Sequence, residues 1–450
     1  TQPLFGPLMR TESRGRVFYG WFIVAVSFLC WFSADAFGWY TFGIFLGPIS
    51  SELGWTTVAL TGALTLRTVV GGLMGPLIGP LVDTRHGARV LMSLGVVIAG
   101  AVPLAVSQVD QVWQFYLVYG VIGALGMVGF GGLVTNALIS KWFVRRRGRA
   151  IGIATMGIST SGLVFVPLSH VLITDFGWRT TLLVLGFTIW GLALIPVVLL
   201  VRRRPEDMGL RPDGDRIETC EAEMSLAGGA SDEDSVEQVW SLKEALRTKT
   251  LWLLLIGFNI TGLALSGVFI HFYPYLESKG IEPAVAATAV TTFAFCAALV
   301  KIPWGLLAER FPVRHCITAC YVGCALSLII LINSQSVALV FLYAMVYGVT
   351  LGGDMVLKEL VWANYFGRTF LGTIRGVTMP INLISVAGGP LFAAWLRDLT
   401  GSYQLPYTIF FGTVLVGTCV LGLTKPPRKG GDATPGPETG GLSGKTGAVR

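Results

Sequence analysis

The sequence predicts an all-α polytopic membrane protein whose twelve transmembrane helices form two six-helix bundles. Three observations predict it: the composition, the number of long apolar stretches, and a repeat that relates the two halves. Of 450 residues 53% are hydrophobic, about 239 side chains, and 57 more are glycine. A spanning helix needs roughly 20 such residues, so twelve use about 240. Charged residues make up 13%, against about 25% in soluble domains, and the mean hydropathy is +0.67. A soluble enzyme, a nucleic-acid binder and a disordered chain are excluded on these grounds.

The apolar stretches run over 17–45, 56–82, 90–108, 112–139, 150–174, 180–201, 250–275, 284–308, 315–333, 336–363, 372–396 and 404–424; they are spans one to twelve below. The first is too long for a cleavable signal and no small-residue cleavage site follows it, so none is expected. Polar chain at 202–249 opens with Arg202-Arg203-Arg204-Pro205, carries Ser231-Asp232-Glu233-Asp234-Ser235, and divides the spans six and six. The expected organisation is an N-terminal arm (1–16), a first bundle (17–201), a linker (202–249), a second bundle (250–424) and a Gly/Pro/Thr-rich disordered tail (425–450).

Lys and Arg set the orientation. Loops after odd-numbered spans hold Arg179, Lys279 and Arg397. The arm and the loops after even-numbered spans, linker and tail aside, hold fourteen, among them Arg10, Arg14, Arg16, Arg85, Lys141, Arg310, Arg368 and Arg375. This places both termini in the cytosol, in a plasma (inner) membrane, and makes the net charge of +7 a topology signal. Of seven cysteines only Cys220 lies in polar chain; embedded thiols act as small apolar groups. Cys316, Cys320 and Cys324 share a helical face that reads as a packing seam. No metal or other cofactor is expected, nor a nucleic-acid partner. Membrane lipid is the surroundings, and a monomer is the expected state.

The halves repeat. An offset of 223 pairs Phe143 with Phe366, Arg145 with Arg368, Pro167 with Pro390 and Asp175 with Asp398; an offset of 226 pairs Pro48 with Pro274, Gly79 with Gly305, and Asp83 with Glu309. Such repeats place a binding site between the halves.

Charges inside the spans are candidates for that site, since each costs roughly 2.5–3.5 kcal/mol at a helix centre. They are Asp35 in span one, Arg67 in span two, Lys301 in span eight, and Asp354, Lys358 and Glu359 in span ten. Arg67 suits a carboxylate or a pair with Asp35. Asp354 and Lys358, four apart, share a face, and Glu359 reads as solvated. Tyr119, Tyr347, Asn259 and Asn382 offer neutral contacts to a substrate, although each also suits a helix–helix hydrogen bond. Proton coupling is expected through Asp35 or Asp354, with Arg67 and Lys358 as charge partners.

Between spans two and three the chain reads Gly79-Pro80-Leu81-Val82-Asp83-Thr84-Arg85-His86-Gly87-Ala88-Arg89, and a degenerate copy, Gly305-Leu306-Leu307-Ala308-Glu309 to Arg314, follows span eight. These resemble the signature loop of the major facilitator superfamily, which implies that superfamily's fold. Asp83, Arg89 and Arg149, with Glu309 and Arg314, are expected to latch one face, a carboxylate capping a helix N-terminus across the seam.

Tyr19-Gly20-Trp21, the run from Trp142 to Gly152, Gly177-Trp178-Arg179, Tyr365 to Arg368 and Asp398 to Tyr403 resemble the monocarboxylate porters and the oxalate–formate antiporters. The resemblance implies a substrate-holding cation at Lys301. Three departures stand out. Ala297 replaces the family's acid, Trp39 occupies the site of a basic residue, and span eleven has no lysine between Val377 and Leu396. A dicarboxylate is therefore disfavoured. The expected function is proton-coupled movement of small monocarboxylates such as lactate or pyruvate. A proton-antiporting exporter of drugs or apolar molecules is the alternative, although Pro167-Leu168-Ser169-His170 departs from the signature of such exporters. A transporter-like receptor without flux stays open. No nucleophile elbow, zinc spacing or phosphate loop points to an enzyme.

Overall fold

A computed structural model describes residues 18–214 and 239–427. The arm, the acidic run of the linker, Cys220 and the tail beyond 427 lie outside the described residues. Among the described residues ten helices are long and apolar enough to cross a membrane. The longest, over 147–200, turns at Gly177, which takes a left-handed φ of 79° closed to most side chains, and so carries spans five and six. Span one is made of shorter helices. It is broken into Gly20–Ala34 and Trp39–Leu53, and it extends beyond the apolar stretch read from the sequence.

The break in span one has a local cause. Asp35 ends the first piece, and its carboxylate accepts the N–H of Tyr40 at 3.1 Å in the first turn of the second. Gly38 stands at the N-cap of that second piece. Span four is also irregular. A π-helical stretch, Tyr116–Ile122, follows Val112–Phe115, and the helix resumes as Gly123–Phe130 and Gly132–Trp142. The other spans are single helices: Thr57–Asp83, Gly87–Val106, Lys249–Ser278, Pro283–Arg310, Val313–Ile332, Val337–Phe366, Leu371–Thr400 and Gln404–Gly422.

Two pairs of helices make most of the contact between the halves, span two with span eleven and span five with span eight. Both contacts are made by glycine. A Cβ on Gly75 would fall 2.6 Å from the carbonyl oxygen of Gly376, and one on Gly152 would fall 2.8 Å from that of Lys301. Apolar burial gives no preference between helix faces in lipid, so close backbone approach through small residues is what selects these pairs.

All four contact points lie toward the face that carries the loops after even-numbered spans, called here the basic face. The start of the linker is folded onto this face. The Asp213 carboxylate accepts the successive amides of Val144, Arg145 and Arg146 at 2.9–3.0 Å, and the Arg202 carbonyl accepts from the Trp142 indole at 3.1 Å. Ahead of each half an aromatic ring stands edge-on to the matching phenylalanine of the repeat, Phe18 on Phe143 and Trp240 on Phe366.

Candidate functional site

A cavity of about 470 Å³ lies between the halves. Its charged lining is Asp35 and Arg67 from the first half and Asp354, Lys358, Glu359 and Arg375 from the second. Asn136 and Asn382 add neutral polar groups. Five of the six charges were singled out by their depth in apolar sequence. The sixth, Arg375, sits in the first turn and a half of span eleven, where the sequence reads as a loop-anchoring cation.

The partners of these groups differ from the expected pairs. Arg67 donates to the Phe37 carbonyl at 3.2 Å, inside the break of span one, and lies 4.9 Å over the Tyr119 ring. Asp354 accepts from the Tyr321 hydroxyl of span nine. It forms no ion pair with Lys358, whose ammonium rests 5.3 Å from the centre of the Phe258 ring. Glu359, expected to be solvated, is instead ion-paired with Arg375 and mostly buried. Among the described residues neither Arg67 nor Lys358 has a carboxylate within ion-pair distance.

Lys301 does not line the cavity. It is fully buried in the seam between spans eight and five, where its ammonium donates to the Thr155 carbonyl at 2.8 Å and the Ser159 hydroxyl at 2.9 Å. Thr155 is itself a lining residue, so Lys301 stands directly behind the wall. Tyr119 is buried beneath Arg67, stacked between Phe42 and Phe115. Tyr347 is tied to the Leu265 carbonyl at 2.9 Å and stacks on Tyr343. Asn259 donates to the Leu255 carbonyl of its own helix at 2.8 Å and reaches Asn382 at 3.4 Å. Of the neutral groups expected to touch substrate, Asn382 alone lines the cavity.

On the basic face two carboxylates cap helices of the opposite half. Asp83 accepts the N–H and the hydroxyl of Thr373, both at 2.8 Å, in the first turn of span eleven. Glu309 accepts the N–H of Arg149 at 2.8 Å in the first turn of span five, and pairs with its guanidinium at 2.8 Å. The other oxygen of Asp83 holds Lys141 at 2.9 Å in a buried ion pair. Arg147 adds a bond to Asn364 at 3.0 Å, and Arg368 reaches back to the Lys141 carbonyl at 2.9 Å.

Arg89 and Arg314, expected in the same latch, are elsewhere. Arg89 bonds the Val198 carbonyl of its own half, and Arg314 turns to the neighbouring His315. The N-terminal amides of spans five and eleven already satisfy the two acids. Sequence reasoning missed Lys141 and Thr373 as members of this latch.

The model of the Major Facilitator Superfamily matches residues 28–288 and 272–447. The chain belongs to that superfamily. Curated relatives include monocarboxylate transporter 12 of Rattus norvegicus, 25% identical over 304 residues, which covers 64% of this chain and 62% of the relative. Monocarboxylate transporter 13 of Bos taurus is 26% identical over 308 residues, covering 64% and 62%. The chain thus spans about three fifths of the length of the curated relatives it matches.

Solved structures share the fold. The human organic anion transporter MFSD10 superposes with a TM-score of 0.65 at 14% identity, covering 89% of this chain and 98% of that one. The proton:xylose symporter XylE gives 0.67 at 13%, covering 89% and 95%. The fold and the family together define a multi-pass membrane protein of the Major Facilitator Superfamily.

Proposed function

We propose that this transporter moves small monocarboxylates of the lactate and pyruvate kind together with protons, by alternating access. On this reading it works as a monomer in the plasma (inner) membrane with its basic face and both termini in the cytosol. The observation that carries the reading is the state of the cavity cations. Arg67 and Lys358 come from opposite halves, line one cavity, and have no carboxylate partner among the described residues. Asp354, Asp35 and Glu359 are each already engaged, by Tyr321, by the Tyr40 amide and by Arg375. Unpaired cations in a confined site attract an anion, and the curated relatives named for monocarboxylates agree with one of modest size. Lys301, behind Thr155, is a third cation for the substrate once spans five and eight part.

Protons enter this reading through Asp35, or else Asp354. Their described partners include the Tyr40 amide for Asp35 and the Tyr321 hydroxyl for Asp354. Moving the proton with the anion makes the transported pair neutral, which lowers the cost of crossing a low-dielectric core.

Counterflow in proteoliposomes tests the proposal, with labelled lactate, pyruvate and acetate as probes and internal pH recorded. Carboxylate exchange is expected, together with accumulation driven by an inward proton gradient. Flux of apolar dyes with none of any carboxylate would overturn the proposal in favour of an exporter.

A further inference from the structure

The charged groups at the basic end of the cavity are not equivalent. The guanidinium of Arg375 is ion-paired to Glu359 through Nη2 alone, and it lies 5.4 Å from the centre of the Trp362 ring. Its Nε and Nη1 are buried and have no hydrogen-bond partner among the described residues. Arginine carries five N–H donors and no acceptor, and a buried donor left unmade costs about 1–3 kcal/mol. Arg375 lines the cavity, and unmade donors held just behind that wall suit an acceptor that arrives with the cargo once the guanidinium turns from Glu359. Lys358, the neighbour of Glu359, adds a second cation whose one described partner is the Phe258 ring.

The place of Arg375 in span eleven ties this corner to the closure of the basic face. Two residues earlier is Thr373, whose amide and hydroxyl are held by Asp83. One residue later is Gly376, whose carbonyl lies against Gly75 of span two. A single helical turn therefore bears the cavity floor, the capping contact and a close backbone approach between the halves.

We propose that Arg375 receives the carboxylate of the cargo at the cavity floor, in competition with Glu359, and that this exchange of partners loosens the turn of span eleven that Asp83 and Gly75 hold. Glu359 is then an internal stand-in that occupies the guanidinium while the site is empty. The remaining charged groups facing the cavity are Asp35 and Arg67 across it and Asp354 and Lys358 on span ten. None of these is paired with Arg375. The proposal rests on the organic-anion reading above and adds to it a receiving residue and a route from occupancy to gate.

Binding of labelled pyruvate and lactate to the purified full chain tests this with variants of opposite expected sign. Glu359→Gln removes the internal competitor and is expected to tighten binding about 3- to 10-fold. Arg375→Gln is expected to weaken it at least 10-fold, the double variant is expected to follow Arg375→Gln, and Arg375→Lys is expected to recover part of the affinity. Pyruvate should also change labelling of a Thr68→Cys reporter in the cavity by an impermeant maleimide added from the basic face. That change is expected to be lost in Arg375→Gln. If both single variants weaken binding alike, or if Arg375→Gln binds as the parent does, the pair is structural and the inference falls alone. If the unaltered chain binds neither probe, nor acetate, the organic-anion reading falls and takes the inference with it.

Discussion

Lys301→Met is expected to fold with a melting temperature equal to or above that of the parent chain and to lose carboxylate counterflow at least 100-fold. The ammonium of Lys301 is fully buried and is held by a carbonyl and a hydroxyl, with no carboxylate in reach among the described residues. Removing an ammonium from water costs several kcal/mol even after relaxation, and apolar replacements of buried charges are often neutral or stabilising. Methionine has similar length and fills irregular gaps well. The seam itself is built by Gly152 against the Lys301 backbone, and this substitution leaves the backbone in place. A charge that costly within a bilayer is by default a working group, and Thr155, whose carbonyl it holds, faces the cavity. Counterflow at the parental rate in a well-folded Lys301→Met would reduce the lysine to packing.

Asp83→Asn is expected to open the basic face. The carboxylate makes three contacts, two to the first turn of span eleven and one to Lys141. Asparagine can still accept the Thr373 amide, but it cannot neutralise Lys141, whose side chain is nearly as buried as that of Asp83. Breaking a buried pair by removing one partner costs about 3–5 kcal/mol. Both members of that pair belong to the first half, so the equilibrium is biased by the part of this cost that Lys141 recovers in water when the second half moves away. A shift of 1.4 kcal/mol changes an equilibrium tenfold, so the population open on the basic face should rise by at least that factor. Labelling of Thr68→Cys from the basic face should quicken accordingly while turnover slows. Unchanged labelling would mean that Asp83 only stabilises the fold. The equivalent change, Glu309→Gln, should act more weakly, because its partner Arg149 is two fifths exposed and keeps access to water when released.

The membrane class, most of the long apolar helices and the two capping acids were legible in the sequence. Each leaves a one-dimensional trace: a run of apolar residues, a cation count per loop, a motif stated twice. The pairing of charges was not legible, because pairing depends on which helices cross. Asp354 and Lys358 share a face by spacing, yet Tyr321, from a helix more than thirty positions earlier, takes the acid. Glu359 looked wet by its distance from the helix end, and Arg375 comes from the next span to bury it. Lys301 was found as an embedded cation, but its direction is set by the Gly152 contact, which turns it toward span five and away from the cavity. The break in span one was hidden because Asp35 and Gly38 lie within an otherwise apolar run, and breaking a helix needs a capping geometry that composition does not record.

The crossed capping by Asp83 and Glu309 has a consequence for assembly. Each half owns the acid that completes a helix of the other, so each half alone would expose an uncapped N-terminus and a carboxylate deprived of its contact across the seam. The two halves are in that sense complementary fragments, each with a plug and a socket on the same face. Two such points engage together, and the second closes as an intramolecular step at high effective concentration. A chain severed between residues 214 and 239 should therefore reassemble into a working carrier when its fragments are produced together. Fragments bearing Asp83→Asn or Glu309→Gln should pair less well, by co-purification, than the same fragments without those changes.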